Sequence, residues 1–365
     1  MTKPIGMGLI GSGYMGKAHA VAMQAVGASF NTELRPICEM IATSNPESAA
    51  RAAKALGFAR HTGDWREVVS DPAVEAVVIA SPQDTHYDIA MTCFEQGKHV
   101  FCEKPLALSL EDAEAMATAA KSAGVIHMIG FNYVRTPATQ YARQLVAAGE
   151  IGDVIYVRAE HAEDFSADGT APFEWRYEGL ANGNLGDLAP HPINMMLALG
   201  GDIESLVAHY QTVHSVRSGK PVTNDDHAHF LCRFAGGAMG YLMSTRVAHG
   251  RKMGYCYEVQ GTLGTLRFDQ EDQNALWLYK HGDAPEQQGF KKILTNPAHP
   301  DYVAFNLGPG HGTGYQDQII IEQKDFLTAI AMGENRYPTF EDGLVVHQVV
   351  DAIYRSQASG GWESV

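Results

Sequence analysis

The chain has 365 residues, 45 % apolar and 19 % charged, with a formal net charge of -15. That supplies cores for about two globular domains, and the acidic balance argues against a nucleic-acid or anionic-membrane partner, each of which needs a basic surface. The start "MTKPIGMGLIGSG" has no export-signal pattern, and no window nears about eighteen uninterrupted apolar residues. Cys38, Cys93, Cys102, Cys232 and Cys256 are scattered, mostly in apolar runs, and read as reduced core thiols of a cytoplasmic protein.

In chain order, "IGMGLIGSG" is an apolar strand entering a glycine turn, and "YMGKAHAVAMQAV" is a helix. The strand "LRPICEM", the helix "NPESAARAAKALG" and the apolar strand "VEAVVIASP" follow. After these come the segment "THYDIAMTCFEQG", the strand "HVFCEKP", the helix "SLEDAEAMATAAKSAG" and the strand "VIHMIGF". The alternation predicts an α/β, Rossmann-type doubly wound parallel sheet over 1–130, with ligands outside the carboxyl ends of its strands.

Gly11-Ser12-Gly13-Tyr14-Met15-Gly16 lies between the first strand and the first helix. Glycines there permit a tight turn and a close backbone approach to a pyrophosphate, which the helix N-terminus also attracts, so the turn predicts a dinucleotide site. Glu39, 23 residues beyond Gly16, is expected to end the second strand and to accept hydrogen bonds from the adenosine ribose. A carboxylate there repels a 2′-phosphate, which favours NAD over NADP.

In "KHVFCEKPLAL", Lys104 follows an apolar run and precedes Pro105, which biases it towards extended geometry. An ammonium at the end of a buried strand costs solvation free energy. It is either aimed at a ligand or is an edge lysine reaching water.

Beyond residue 130 strands alternate with turns: "IGDVIYVRAEH", "SLVAHYQTVHS", "HAHFLCRF", "AMGYLMSTRVA", "YCYEVQGTLGTLRFD" and "ALWLYK". They predict an α+β domain over 131–365 with a largely antiparallel open sheet. Helices are expected at 137–149, about 191–199, 316–333 and 341–358, and 281–315 is the most loop-like stretch.

In "GNLGDLAPHPINMM", Asp187 and His191 are four apart, and Pro190 and Pro192 place them at a helix entrance. Such a histidine can take a hydroxyl proton while the carboxylate orients its ring; the residues alone favour a capping or packing histidine. Trp175 and Arg176 offer a sugar an apolar face and a hydrogen-bonding fork, or pack in the core with a surface ion pair. His311 lies in the loop "GPGHGTGY". Asp225, Asp226, His227 and His229 invite a metal reading, but strand alternation separates them, and they read as a solvated strand entrance with no metal.

Taken together, "GLIGSGYMGKAHA", "VVIASPQDTHYDIA", "GKHVFCEKPLAL" and "GFNYVRTPA" resemble the Gfo/Idh/MocA oxidoreductase family, and the likeness continues through "GEIGDVIYVRAE" and "EDGLVVHQVVDAIYRSQASG". The resemblance implies that Glu103-Lys104-Pro105 sits by the nicotinamide with Lys104 contacting substrate, and that Asp187 and His191 are the acid–base pair. It also implies cofactor contacts at Ser81, Pro82 and His86, and makes Asn194, an Asp in many relatives, a substrate contact or a departure that alters specificity. The expected protein is an NAD-dependent dehydrogenase of a sugar or cyclitol; the alternative is a non-catalytic dinucleotide-binding sensor on the same fold. Large apolar residues in both registers of "HFLCRFAGGAMGYLMSTRVA" predict a homo-oligomer, a tetramer by resemblance, unless helices 316–333 and 341–358 cover the second face.

Overall fold

The computed structural model describes residues 2–365. The chain forms two compact units, Met1–Arg135 with Gly314–Val345, and Thr136–Thr313 with Val346–Val365.

In the first unit, strands β1 (Lys3–Ile10), β2 (Leu34–Ala42), β3 (Arg60–Thr62), β4 (Ala76–Ile79), β5 (His99–Glu103) and β6 (His127–Gly130) make a parallel sheet in the order β3-β2-β1-β4-β5-β6. This is the doubly wound arrangement that the alternating pattern predicts. Helices α1 (Tyr14–Ser29), α2 (Pro46–Leu56), α3 (Trp65–Ser70), α4 (His86–Glu95) and α5 (Leu110–Ala123) connect the strands. Local signals set their ends: Asn45 accepts from Ser48 N at 2.9 Å, Pro46 opens α2, and Gly57 closes it in the left-handed region.

Unit one also takes in α9 (Tyr315–Met332), which packs on α1, and the start of α10 (Phe340–Ser359). A single boundary near residue 130 is therefore too simple. The helix expected at 316–333 belongs with the nucleotide-type sheet, where it packs on α1 and Gln316 Nε2 donates to Ala18 O at 2.9 Å.

The second unit begins with α6 (Pro137–Ala147) and β7 (Val154–Ala162), then α7 (Asn184–Asp187), α8 (Pro190–Gly200) and β8 (Ile203–Gln211). A short hairpin, β9 (Val216–Arg217) with β10 (Lys220–Pro221), precedes β11 (His227–Phe234), β12 (Met239–Thr245), β13 (Gly254–Gly261), β14 (Gly264–Asp269), β15 (Ala275–Lys280) and β16 (Lys291–Leu294); β17 (Glu363–Ser364) closes the chain. Its nine-stranded sheet runs β16-β15-β14-β13-β7-β12-β11-β8-β17, antiparallel except between β7 and β12.

Alternation decides what this sheet buries. Val157, Ala159 and His161 of β7, with Ala228, Phe230, Cys232 and Phe234 of β11, are buried, and α8 packs on β7, β12 and β13. The opposite register leaves Leu231 and Met239 exposed.

Candidate functional site

The glycine turn leaves the carboxyl end of β1 with Gly11 at φ +100°, a conformation suited to glycine. Gly11 N donates to Ala42 O at 2.9 Å, which seats the turn against the end of β2. A Cβ on Gly16 would meet Gly11 O at 2.3 Å, whereas one on Gly13 would enter open space at the start of α1. That open space over unpaired helix N–H groups fits a pyrophosphate. Tyr14, 74 % exposed, and Met15 follow, the Met15 sulfur accepting from Tyr315 Oη at 3.5 Å.

On the same sheet edge, β5 ends at Glu103 and delivers Lys104, half-buried, to the rim. Glu103 points the other way. Its Oε1 lies 2.7 Å from His19 Nε2 on α1, and both side chains are buried. Glu103 thus holds the strand end to the helix of the glycine turn.

His86 is similarly placed, 1 % exposed. Its Nδ1 lies 2.9 Å from Pro105 O and its Nε2 3.1 Å from Ser81 O, so the ring spans the turns that follow β4 and β5. Burial pushes its pKa below 6.5, while the two carbonyls and the charge of Glu103 act the other way. A neutral ring donates to only one of the carbonyls. Ser81, its hydroxyl 2.6 Å from Thr85 Oγ1, and exposed Pro82 present the turn surface.

Glu39 does not end β2. The strand continues to Ala42, and a register shift between Met7 and Gly8 of β1 sets Glu39 opposite the irregularity. Its Oε1 accepts from Arg60 Nε at 3.0 Å, and Arg60 also pairs with Asp71, which lies ahead of β4. Glu39 thus lies three residues short of Ala42, inside the strand and not at the strand end where the ribose contact was expected.

In the second unit, Asp187 closes α7 and His191 lies in the first turn of α8, with Pro190 at the opening position. The two prolines sit where the helix entrance was expected. Arg176 Nη1 donates to Asp187 Oδ2 at 3.4 Å, and the Arg176 guanidinium lies 4.7 Å from the ring centre of Trp175. Trp175 is 59 % exposed, which removes the core-packing alternative for it and leaves an apolar face open. Asn194 is 1 % exposed within α8; His311 is exposed, its ring against Gly308.

Two supports of this half were not anticipated. His161, buried on β7, has Nδ1 3.1 Å from the O of Leu188, one of the two residues between α7 and α8, and Nε2 3.0 Å from Glu163 Oε1; its ring centre is 5.9 Å from that of His191. A polar residue in the buried register of "VIYVRAEH" was the available signal. Asp225 accepts from Leu185 N at 3.1 Å and from Asn184 Nδ2 at 3.2 Å, tying the start of α7 to the sheet; burial lifts its pKa to about 6.

Asp225 and Asp226 are 1 % and 0 % exposed, so the solvated entrance expected there is overturned. Asp226 pairs at 2.8 Å with Arg246, a buried arginine twenty residues on that the sequence pattern did not associate with it.

The sequence family described as an oxidoreductase family with an NAD-binding Rossmann fold matches residues 5–131, and the Gfo/Idh/MocA C-terminal domain matches residues 139–267. Levoglucosan dehydrogenase of Pseudarthrobacter phenanthrenivorans is 38 % identical, over 99 % of this chain and 98 % of its own. A solved levoglucosan dehydrogenase, in complex with NADH and levoglucosan, superposes with a TM-score of 0.97 at 39 % identity, covering 100 % of this chain and 99 % of that one. Inositol 2-dehydrogenase of Rhizobium meliloti is 28 % identical over 96 % of each chain. With both halves matched, the chain belongs to the Gfo/Idh/MocA family of NAD-dependent oxidoreductases.

Proposed function

We propose that the chain oxidises a ring carbinol of a sugar, in the first instance an anhydrosugar of the levoglucosan type, with cyclitols as the neighbouring substrate class. The observation that carries the reading is the half-buried Lys104 ammonium on the same strand-end edge as the glycine turn. The relatives' names supply the substrate class.

Bound NAD supplies the hydride acceptor. Gly11, Gly13 and Gly16, with the first turn of α1, hold the pyrophosphate, and Ser81 and Pro82 line the turn beside it. His191 takes the hydroxyl proton, Asp187 stabilises the resulting imidazolium, and Arg176 fixes the Asp187 carboxylate. Lys104 lowers the energy of the developing alkoxide. Trp175 offers the sugar its apolar face. The first unit is then the dinucleotide-binding part, and the second carries the acid–base pair.

The open sheet register with Leu231, Tyr241 and Met239 supports a homo-oligomer, which we take to be a tetramer, and the scattered, unpaired cysteines support a cytoplasmic setting. Light scattering giving a mass near 39.6 kDa would count against assembly. The activity is tested by NADH formation across levoglucosan, aldohexoses and inositol isomers, with Lys104→Met expected to abolish it. Confirmed NAD binding with no NADH from any of these would favour a sensor instead.

A further inference from the structure

Strand β2 ends at Ala42, level with Ile10, and the glycine turn bonds to Ala42 O at 2.9 Å. The next residue, Thr43, occupies the strand-end position beside the turn, where an acidic side chain commonly receives the adenosine ribose. Glu39 is four residues short of it, about 13 Å along an extended strand, and is held by Arg60.

Thr43 is half-buried, and its hydroxyl pairs with Ser48 Oγ and donates to Asn45 O at 3.1 Å. Ser44 is exposed beside it. Of the carboxylates further along this edge, Asp64 is engaged with Arg66 N, capping α3, and Glu47 lies in the first turn of α2. No carboxylate stands at the strand end itself.

We infer that Thr43 and Ser44 form a hydroxyl-lined seat for the adenosine ribose and that the chain admits NADP as well as NAD. With its proton on Asn45 O, the Thr43 hydroxyl accepts from the ribose 2′-hydroxyl, while the exposed Ser44 hydroxyl can accept from it or donate to a 2′-phosphate; a carboxylate accepts from the first and repels the second. The inference rests on the dinucleotide reading of the first unit.

Titration of the purified protein with NADH and NADPH, followed by nucleotide fluorescence, tests the seat without any substrate. The expected result is dissociation constants within about tenfold of each other. Thr43→Asp is expected to weaken NADPH by more than about tenfold while NADH is held, with Ser44→Asp as the second variant. Glu39→Gln is expected to leave the ratio unchanged. NADH binding with NADPH more than about tenfold weaker in the unaltered chain, no effect of either aspartate on the ratio, or a ratio that moves with Glu39→Gln would overturn the inference alone. Failure of both nucleotides to bind would overturn the dinucleotide reading with it.

Discussion

His19 on the first helix and Glu103 at the end of β5 meet at 2.7 Å in a fully enclosed contact, and this ties the helix of the glycine turn to the strand that delivers Lys104. A buried pair of this kind is costly to break from one side, because the remaining partner is stranded. Glu103→Ala is expected to lower the unfolding free energy by about 3 kcal/mol, read by urea denaturation, and to reduce turnover with it. Unchanged stability would show that water replaces the carboxylate.

His86 joins Ser81 O to Pro105 O. His86→Ala leaves the carbonyl to which the ring donates without a partner and opens a cavity between the two turns, and is expected to cost about 2 kcal/mol. Because the ring acts through two turns and is 1 % exposed, kcat should fall more than the affinity for NADH. Equal loss in both would indicate a general loosening of the first unit.

Burial also lowers the pKa of His86, His99, His127, His227 and His299 from 6.5. A depressed folded value means that the unfolded chain takes up protons first, so the stability these rings contribute is present above pH 6.5 and lost as pH falls through their folded values. Denaturation midpoints should drop on acidification below that pH. His86→Asn should show a shallower drop than the unaltered chain.

Glu322 on α9 has the opposite sign. Its carboxyl is 0 % exposed, neither oxygen has a hydrogen-bond partner in the fold, and burial first, then Glu103, raises its pKa well above 4.5. A raised folded value makes its contribution complete below pH 4.5 and lost as pH rises through the folded value. Glu322→Gln is therefore expected to raise stability at pH 8 relative to the unaltered chain, with the gain shrinking as the pH is lowered. A pH-independent difference would mean that the residue acts through shape alone.

Asp225 anchors α7, whose last residue is Asp187. Asp225→Ala is expected to reduce sugar kcat/KM by more than about tenfold, roughly 1.4 kcal/mol of transition-state stabilisation, while NADH binding to the first unit is unaltered. A loss of NADH affinity would assign the anchor a wider role.

What could be read from the residues divides by range. The glycine turn, Lys104 and the Asp187/His191 helix entrance were legible because glycine and proline constrain backbone within a few positions. Glu39 was misplaced because Met40, Ile41 and Ala42 prolong a buried strand past the expected end, and an irregularity in pairing leaves no mark in composition. Asp226 and His161 were misread or missed because Arg246 and Leu188, twenty and twenty-seven residues along, define them. Likewise α9 joined the wrong half while elements were grouped by order along the chain.

That return of the chain bears on how the protein is made. The first unit lacks Gly314–Val345 until those residues leave the ribosome, and the second lacks Val346–Val365 for longer still. Until then Phe101 of β5, whose ring meets Phe326 of α9 at 5.8 Å, and the face of α1 on which α9 packs have no helix to cover them. The first unit is completed only after Thr136–Thr313 of the second has been synthesised, so it cannot close before that segment emerges, and the nascent polypeptide carries an open apolar surface meanwhile.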